Sequence, residues 1–99
     1  MKYFDWNDEK NELLKKERGV SFEQVELAIA SGDLLDRITH PNRSKYPNQK
    51  VFLVTIDDYV YSVPYVEDEE SIFLKMIIPN RKATKKYLGG KNEKSNIFR

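Results

Sequence analysis

The stretch Lys50 to Val66, KVFLVTIDDYVYSVPYV, constrains this chain more than any other. After its first residue, Lys50–Ile56 is almost entirely β-branched or aromatic, and Tyr59–Val66 repeats that character after Asp57-Asp58. Side chains of that kind fit a pleated, packed surface, and two adjacent acids between two such runs suit a tight turn. The stretch therefore predicts an antiparallel hairpin at the centre of the fold. Pro64 has no N–H to give to a ladder, so a bulge or strand break is expected near it.

The flanking segments supply helices and further strands. Tyr3, Phe4 and Trp6 suit a short first strand, and Asn7 or Asp8 can cap a helix over DEKNELLKKER, Asp8 to Arg18, whose acids come first and bases last. Gly19 ends it. Ser21 and Gln24 have the spacing of a capping box for a second helix, with Phe22, Val25, Ala28 and Ile29 on one face and Gly32 as its stop. Asp33–His40 reads as a strand or extended edge of uncertain register, and Pro41–Gln49 as a basic loop. Glu67–Ser71 reads as an acidic turn. Ile72–Ile78 alternates as a strand, Asn80 caps a short helix over Arg81–Leu88, and Gly89-Gly90 should stop it.

These elements predict an α+β domain: a short N-terminal strand, two helices, an antiparallel sheet of about four strands, and a short C-terminal helix. The helices are expected on one sheet face, with the other partly open. Residues 1–90 form a single domain in this reading, and residues 91–99 a frayed tail.

Charge is divided unevenly. Residues 1–74 carry nine Lys or Arg against fifteen Asp or Glu, net −6, whereas residues 75–99 carry eight against one, net +7. Arg37, Arg43, Lys45 and Lys50 form a second basic segment that contains no acid. Two such segments brought together would attract a polyphosphate, whereas separate charge runs serve only solubility. With no cysteine and one histidine, disulfides, thiolate metal sites and a cysteine nucleophile are excluded, and no structural metal or cofactor is expected. The polar, acidic N-terminus MKYFDWNDEK does not fit a signal peptide, and no apolar run approaches a membrane span. The expectation is a soluble, cytoplasmic protein.

The opening YFDWNDEKNELLKKERGVSFEQVELAI resembles the start of the BrnT toxins, with their F-x-W-D-x-x-K-x-x-x-N-x-x-K-H-G-V-x-F-x-x-A arrangement. The ending FLKMIIPNRKATKKYL resembles that family's isoleucine-rich strand running into an S-A-R-x-A-T-type turn. Here Glu17-Arg18-Gly19 replaces K-H-G, and Gln49-Lys50 stands in the region of an E-x-R segment. The resemblance implies a RelE/ParE-related fold and the ribonuclease toxin of a type II toxin–antitoxin pair. It further implies a cognate DNA-binding antitoxin, in a heterodimer or a heterotetramer, and an mRNA substrate.

Metal-free RNA cleavage needs a base for the ribose 2′-hydroxyl, positive charge on the phosphorane and an acid for the leaving oxygen. Arg81, which matches the arginine of the family's ending, is the expected phosphate stabiliser. His40 ionises nearest neutrality and is the candidate acid or base. Lys50, matching the basic position of E-x-R, is the third candidate catalytic group. Lys82, Lys85, Lys86, Arg43 and Lys45 would bind the RNA backbone, while Tyr46 and Tyr65 could stack on bases or carry protons. Two other readings use the same residues: a non-catalytic module that binds RNA or protein, and a ParE-like toxin acting on a protein target.

Overall fold

The computed structural model describes residues 2–39, 45 and 49–96. In chain order these form β1 (Tyr3–Trp6), α1 (Asp8–Arg18), α2 (Phe22–Ala30), β2 (Leu34–Thr39), β3 (Gln49–Ile56), β4 (Tyr59–Glu67), β5 (Ser71–Leu74), β6 (Ile78–Pro79) and α3 (Arg81–Asn96). The fold is α+β, with a six-stranded sheet in the order β1-β5-β4-β3-β2 and β6 also paired to β4. Two strands more than the expected four take part, and β1 runs parallel to β5 while the other pairs are antiparallel. No described helix is long and apolar enough to cross a membrane.

The β3–β4 hairpin forms as its composition requires. Asp57 and Asp58 both take left-handed backbone angles, φ 52° and 63°, the mirror-image turn whose twist matches two antiparallel strands. Alternation then sorts the hairpin's side chains. Phe52, Val54, Ile56, Val63 and Tyr65 face α1 and α2, where they enclose Leu14, Phe22, Val25 and Ala28. Val51, Leu53 and Val60 face the other way and pack on Ala83 of α3, with Leu35, Tyr87 and Leu88 at the margin. The helices therefore lie on both sheet faces, not one, because the hairpin is apolar on both sides.

Pro64 exerts its effect on the neighbouring strand. β4 runs unbroken through it, but the expected single strand Ile72–Ile78 is divided into β5 and β6. The Pro64 carbonyl accepts from the Lys75 N–H at 2.8 Å, so the side of Pro64 that lacks a donor is the side facing that neighbour. Pairing resumes one residue out of step: Leu74 opposes Tyr65 and Ile78 opposes Ser62, leaving Lys75, Met76 and Ile77 against Val63 and Pro64. The Ile77 carbonyl is met by the Arg18 guanidinium at 2.8 Å, which ties the end of α1 to the break.

Local signals fix the helices. Asn7 caps α1, Gly19 closes it in the left-handed region, and Ser21 and Gln24 form both bonds of the capping box. Asn11, only 3% exposed, joins the two helices: its side-chain oxygen accepts from the Phe22 N–H at 2.8 Å and its amide donates to Glu23 at 2.8 Å. The first of these satisfies a helix-start donor that would otherwise be buried and orphaned. α3 passes Gly89 and Gly90, where a stop was expected. A glycine ends a helix by turning left-handed, and the described glycines with positive φ are Gly19 and Gly32, not Gly89.

Two expectations follow. Asn11→Ala should cost about 1–3 kcal/mol in urea unfolding, since it leaves the Phe22 N–H without an acceptor; unchanged stability would contradict the bridge. A Cβ on Gly89 would meet only the Lys85 side chain, at 3.8 Å or beyond. Gly89→Ala should therefore raise stability by up to about 1 kcal/mol, whereas a comparable loss would mean a left-handed stop at that residue.

Candidate functional site

The start of α3 is fastened to β4 by a compact set of hydrogen bonds. The Asn80 N–H donates to the Val60 carbonyl at 2.9 Å, and the Asn80 side chain accepts from the Ala83 N–H at 2.9 Å and donates to Ser62 at 2.8 Å. Thr84 completes the link by accepting from the Val60 N–H at 2.9 Å. With Ala83 and Tyr87 turned to the sheet, Arg81, Lys82, Lys85 and Lys86 are left on the solvent side. None of these four makes an ion pair with a described side chain. Lys86 lies 5.4 Å from the Tyr87 ring, and the Tyr87 hydroxyl reaches Asp36 of β2 at 3.3 Å.

Lys50 belongs to a different place. It pairs with Tyr65, whereas α3 begins beside Val60, five residues back along β4 and roughly 16 Å at a strand's rise per residue. Lys50 alternates with Phe52 and so shares the α1/α2 face, opposite α3. The fold thus separates Arg81 from Lys50. Arg81 keeps company with the α3 lysines, and Lys50 with a polar cluster at the far end of β4.

That cluster is built from four strands or their flanks. Glu67, the last residue of β4, has one carboxylate oxygen 2.7 Å from Lys2 Nζ and the other 3.6 Å from Lys50 Nζ. The hydrogen bond from Lys2, helped by the charges of Lys2 and Lys50, holds the Glu67 carboxyl below its usual range against the opposing effect of burial. Lys2 arrives there because β1 pairs in parallel with β5, placing Lys2, Phe4 and Trp6 on the face that Glu67 shares. Arg37 arrives from β2, its guanidinium 5.4 Å from the centre of the Phe52 ring. A bulge sets its direction: Leu34 opposes Val54 and Asp36 opposes Leu53, so the extra residue Leu35 returns Arg37 to the α1/α2 side.

Tyr65 forms the floor. Its ring stacks on Phe52 with centroids 3.8 Å apart, and it is 1% exposed. It cannot stack on a base, because the alternation that aligns it with Val63 also seals it in the core. Its hydroxyl is buried without a hydrogen-bond partner among the described residues, and burial raises its pKa while the Arg37 charge acts in the opposite sense.

Lys45 is exposed in a turn, and His40, Arg43 and Tyr46 lie outside the described residues. Arg37, Glu67 and Lys2 are the members of the cluster that the sequence reading passed over as site residues. Glu67 stands in an acidic run that suits a turn, yet counting in twos from Val63 through Tyr65 puts it on the same face. Arg37 depended on the bulge and Lys2 on a parallel pairing, neither of which leaves a local signal. No protein family, curated protein or solved structure matches the chain.

Removing the unpartnered hydroxyl tests the description of the floor. Tyr65→Phe should leave stability unchanged or raise it by up to about 1 kcal/mol, because no hydrogen bond to a described residue is lost. A loss above about 1 kcal/mol would show that the hydroxyl is bonded.

Proposed function

We propose that this protein is the toxin of a type II toxin–antitoxin pair, with a RelE-like fold, and that it arrests translation in the cytoplasm by metal-independent cleavage of mRNA. The observation that carries the reading is the cationic face of α3, where Arg81, Lys82, Lys85 and Lys86 point to solvent with no ion-pair partner among the described side chains. Four such charges within two helical turns repel one another, and a phosphate backbone relieves that repulsion while releasing its own counterions. The resemblance of the opening and ending segments to BrnT toxins supports the same reading.

Arg81 acts with the α3 lysines in holding the backbone, and Lys50 lies where another phosphate can be neutralised. The antitoxin covers cationic surface with an acidic or apolar segment that orders on binding, and a separate part of it binds operator DNA. A second reading, a non-catalytic RNA-binding module, is favoured by the separation of Arg81 from Lys50, since backbone binding does not require the two to converge.

Expression without the partner should arrest growth, and the purified protein should cleave RNA in the presence of EDTA. Arg81→Ala should weaken binding of a non-cleavable oligonucleotide and lower the slope of log affinity against log salt by about one. Salt-sensitive binding with no cleavage product would favour the binding module. Intact RNA together with undiminished toxicity of Arg81→Ala would contradict the ribonuclease reading.

A further inference from the structure

We propose that Glu67, bracketed by Lys2 and Lys50, is the proton acceptor of a phosphodiester-cleaving centre on the α1/α2 face of the sheet. The assignment rests on the ribonuclease reading and deepens it by moving the chemistry away from the start of α3.

Four features distinguish the cluster from an ordinary surface ion pair. Each Glu67 oxygen is addressed by a different cation, at 2.7 and 3.6 Å, so the carboxylate is held in orientation and not merely neutralised. The side chain nevertheless keeps 25% of its exposure, and each oxygen retains acceptor capacity for a donor from outside. The cluster is also positive. Lys2 and Lys50 outnumber Glu67, and Asp68, a second carboxylate that feels Lys2, is occupied by the Glu70 and Ser71 N–H groups at 2.8 and 2.7 Å. Finally, the Tyr65 hydroxyl on the same face is enclosed, has no hydrogen-bond partner among the described residues, and feels the charges of both Arg37 and Glu67.

In the reaction, Glu67 takes the proton of the ribose 2′-hydroxyl and the 2′-oxygen forms a bond to phosphorus. Lys50 neutralises the phosphorane, and the bond from phosphorus to the 5′-oxygen breaks. The 5′-oxygen takes a proton from a solvent water, and the hydroxide so formed is neutralised by the proton that Glu67 releases. The products are a 2′,3′-cyclic phosphate and a 5′-hydroxyl. Lys2 is a positioning residue: it acts through Glu67 and touches no reacting atom.

The test uses the full chain with EDTA present, a short RNA substrate for single-turnover cleavage, and its 2′-deoxy analogue for binding. Glu67→Gln should slow cleavage by about 100-fold or more while leaving analogue affinity and melting temperature unchanged. Lys2→Ala should move the acid limb of the pH–rate profile upward, because the hydrogen bond and charge that lower the Glu67 pKa are gone; Lys2→Arg should move it back. Cleavage by Glu67→Gln at the parent rate, or an acid limb unmoved in Lys2→Ala, overturns the assignment while leaving the ribonuclease reading intact. Analogue binding by the parent chain without cleavage of RNA overturns both.

Discussion

The eight-pair ladder between β3 and β4 is the constraint on which the rest of the molecule depends. Both faces of this hairpin are apolar, so neither can be left to water, and each must be covered by helix. α1 and α2 cover the side of Phe52, Val54 and Tyr65, and α3 covers the side of Val51, Leu53 and Val60. Because side chains alternate along the two strands, the same ladder decides which polar residues can meet. Lys50 and Glu67 share a face at one end of the hairpin, and Arg81 starts from the opposite face near the other end.

Elements that declare themselves within a few residues were legible in the sequence. The Asn7 and Asn80 caps and the Ser21–Gln24 box are each set by side chains within four positions of the backbone they bind, and the Asp57-Asp58 turn by two adjacent residues in the left-handed region. What escaped were features decided by partners far along the chain. The parallel alignment of β1 with β5 joins residues 68 apart, as in Tyr3 with Ser71. The division of the strand after β5 follows from which way Pro64 faces, and Pro64 can only be oriented once both its neighbours are known. The passage of α3 through Gly89 and Gly90 reflects backbone angles that composition leaves open.

The same division applies to the candidate site. The α3 cations were legible because charge and helical spacing are both local. Lys50 was legible as a basic strand end, but its partners were not, since Lys2, Arg37 and Glu67 are gathered by a parallel pair, a bulge and the end of a strand that runs further than expected. Of the two roles open to Tyr65 in the sequence, base stacking and proton carriage, burial removes the first, and this too is decided by register. Six tyrosines share this small chain, and only the register says which ring faces the core. The result is a protein with two cationic regions on opposite faces: one an open helical stripe, the other organised around a carboxylate. An open stripe suits holding a flexible backbone, while a carboxylate fixed between cations suits moving a proton.

That division of labour is the central claim, and mapping of backbone amide shifts with a non-cleavable 2′-deoxy oligonucleotide tests it most directly. The account predicts saturable shifts in two groups, one along α3 from Arg81 to Lys86 and one at Arg37, Lys50 and Glu67, with the Asp57–Asp58 turn unmoved. Shifts confined to α3, with the Glu67 end of β4 silent at saturation, would contradict it.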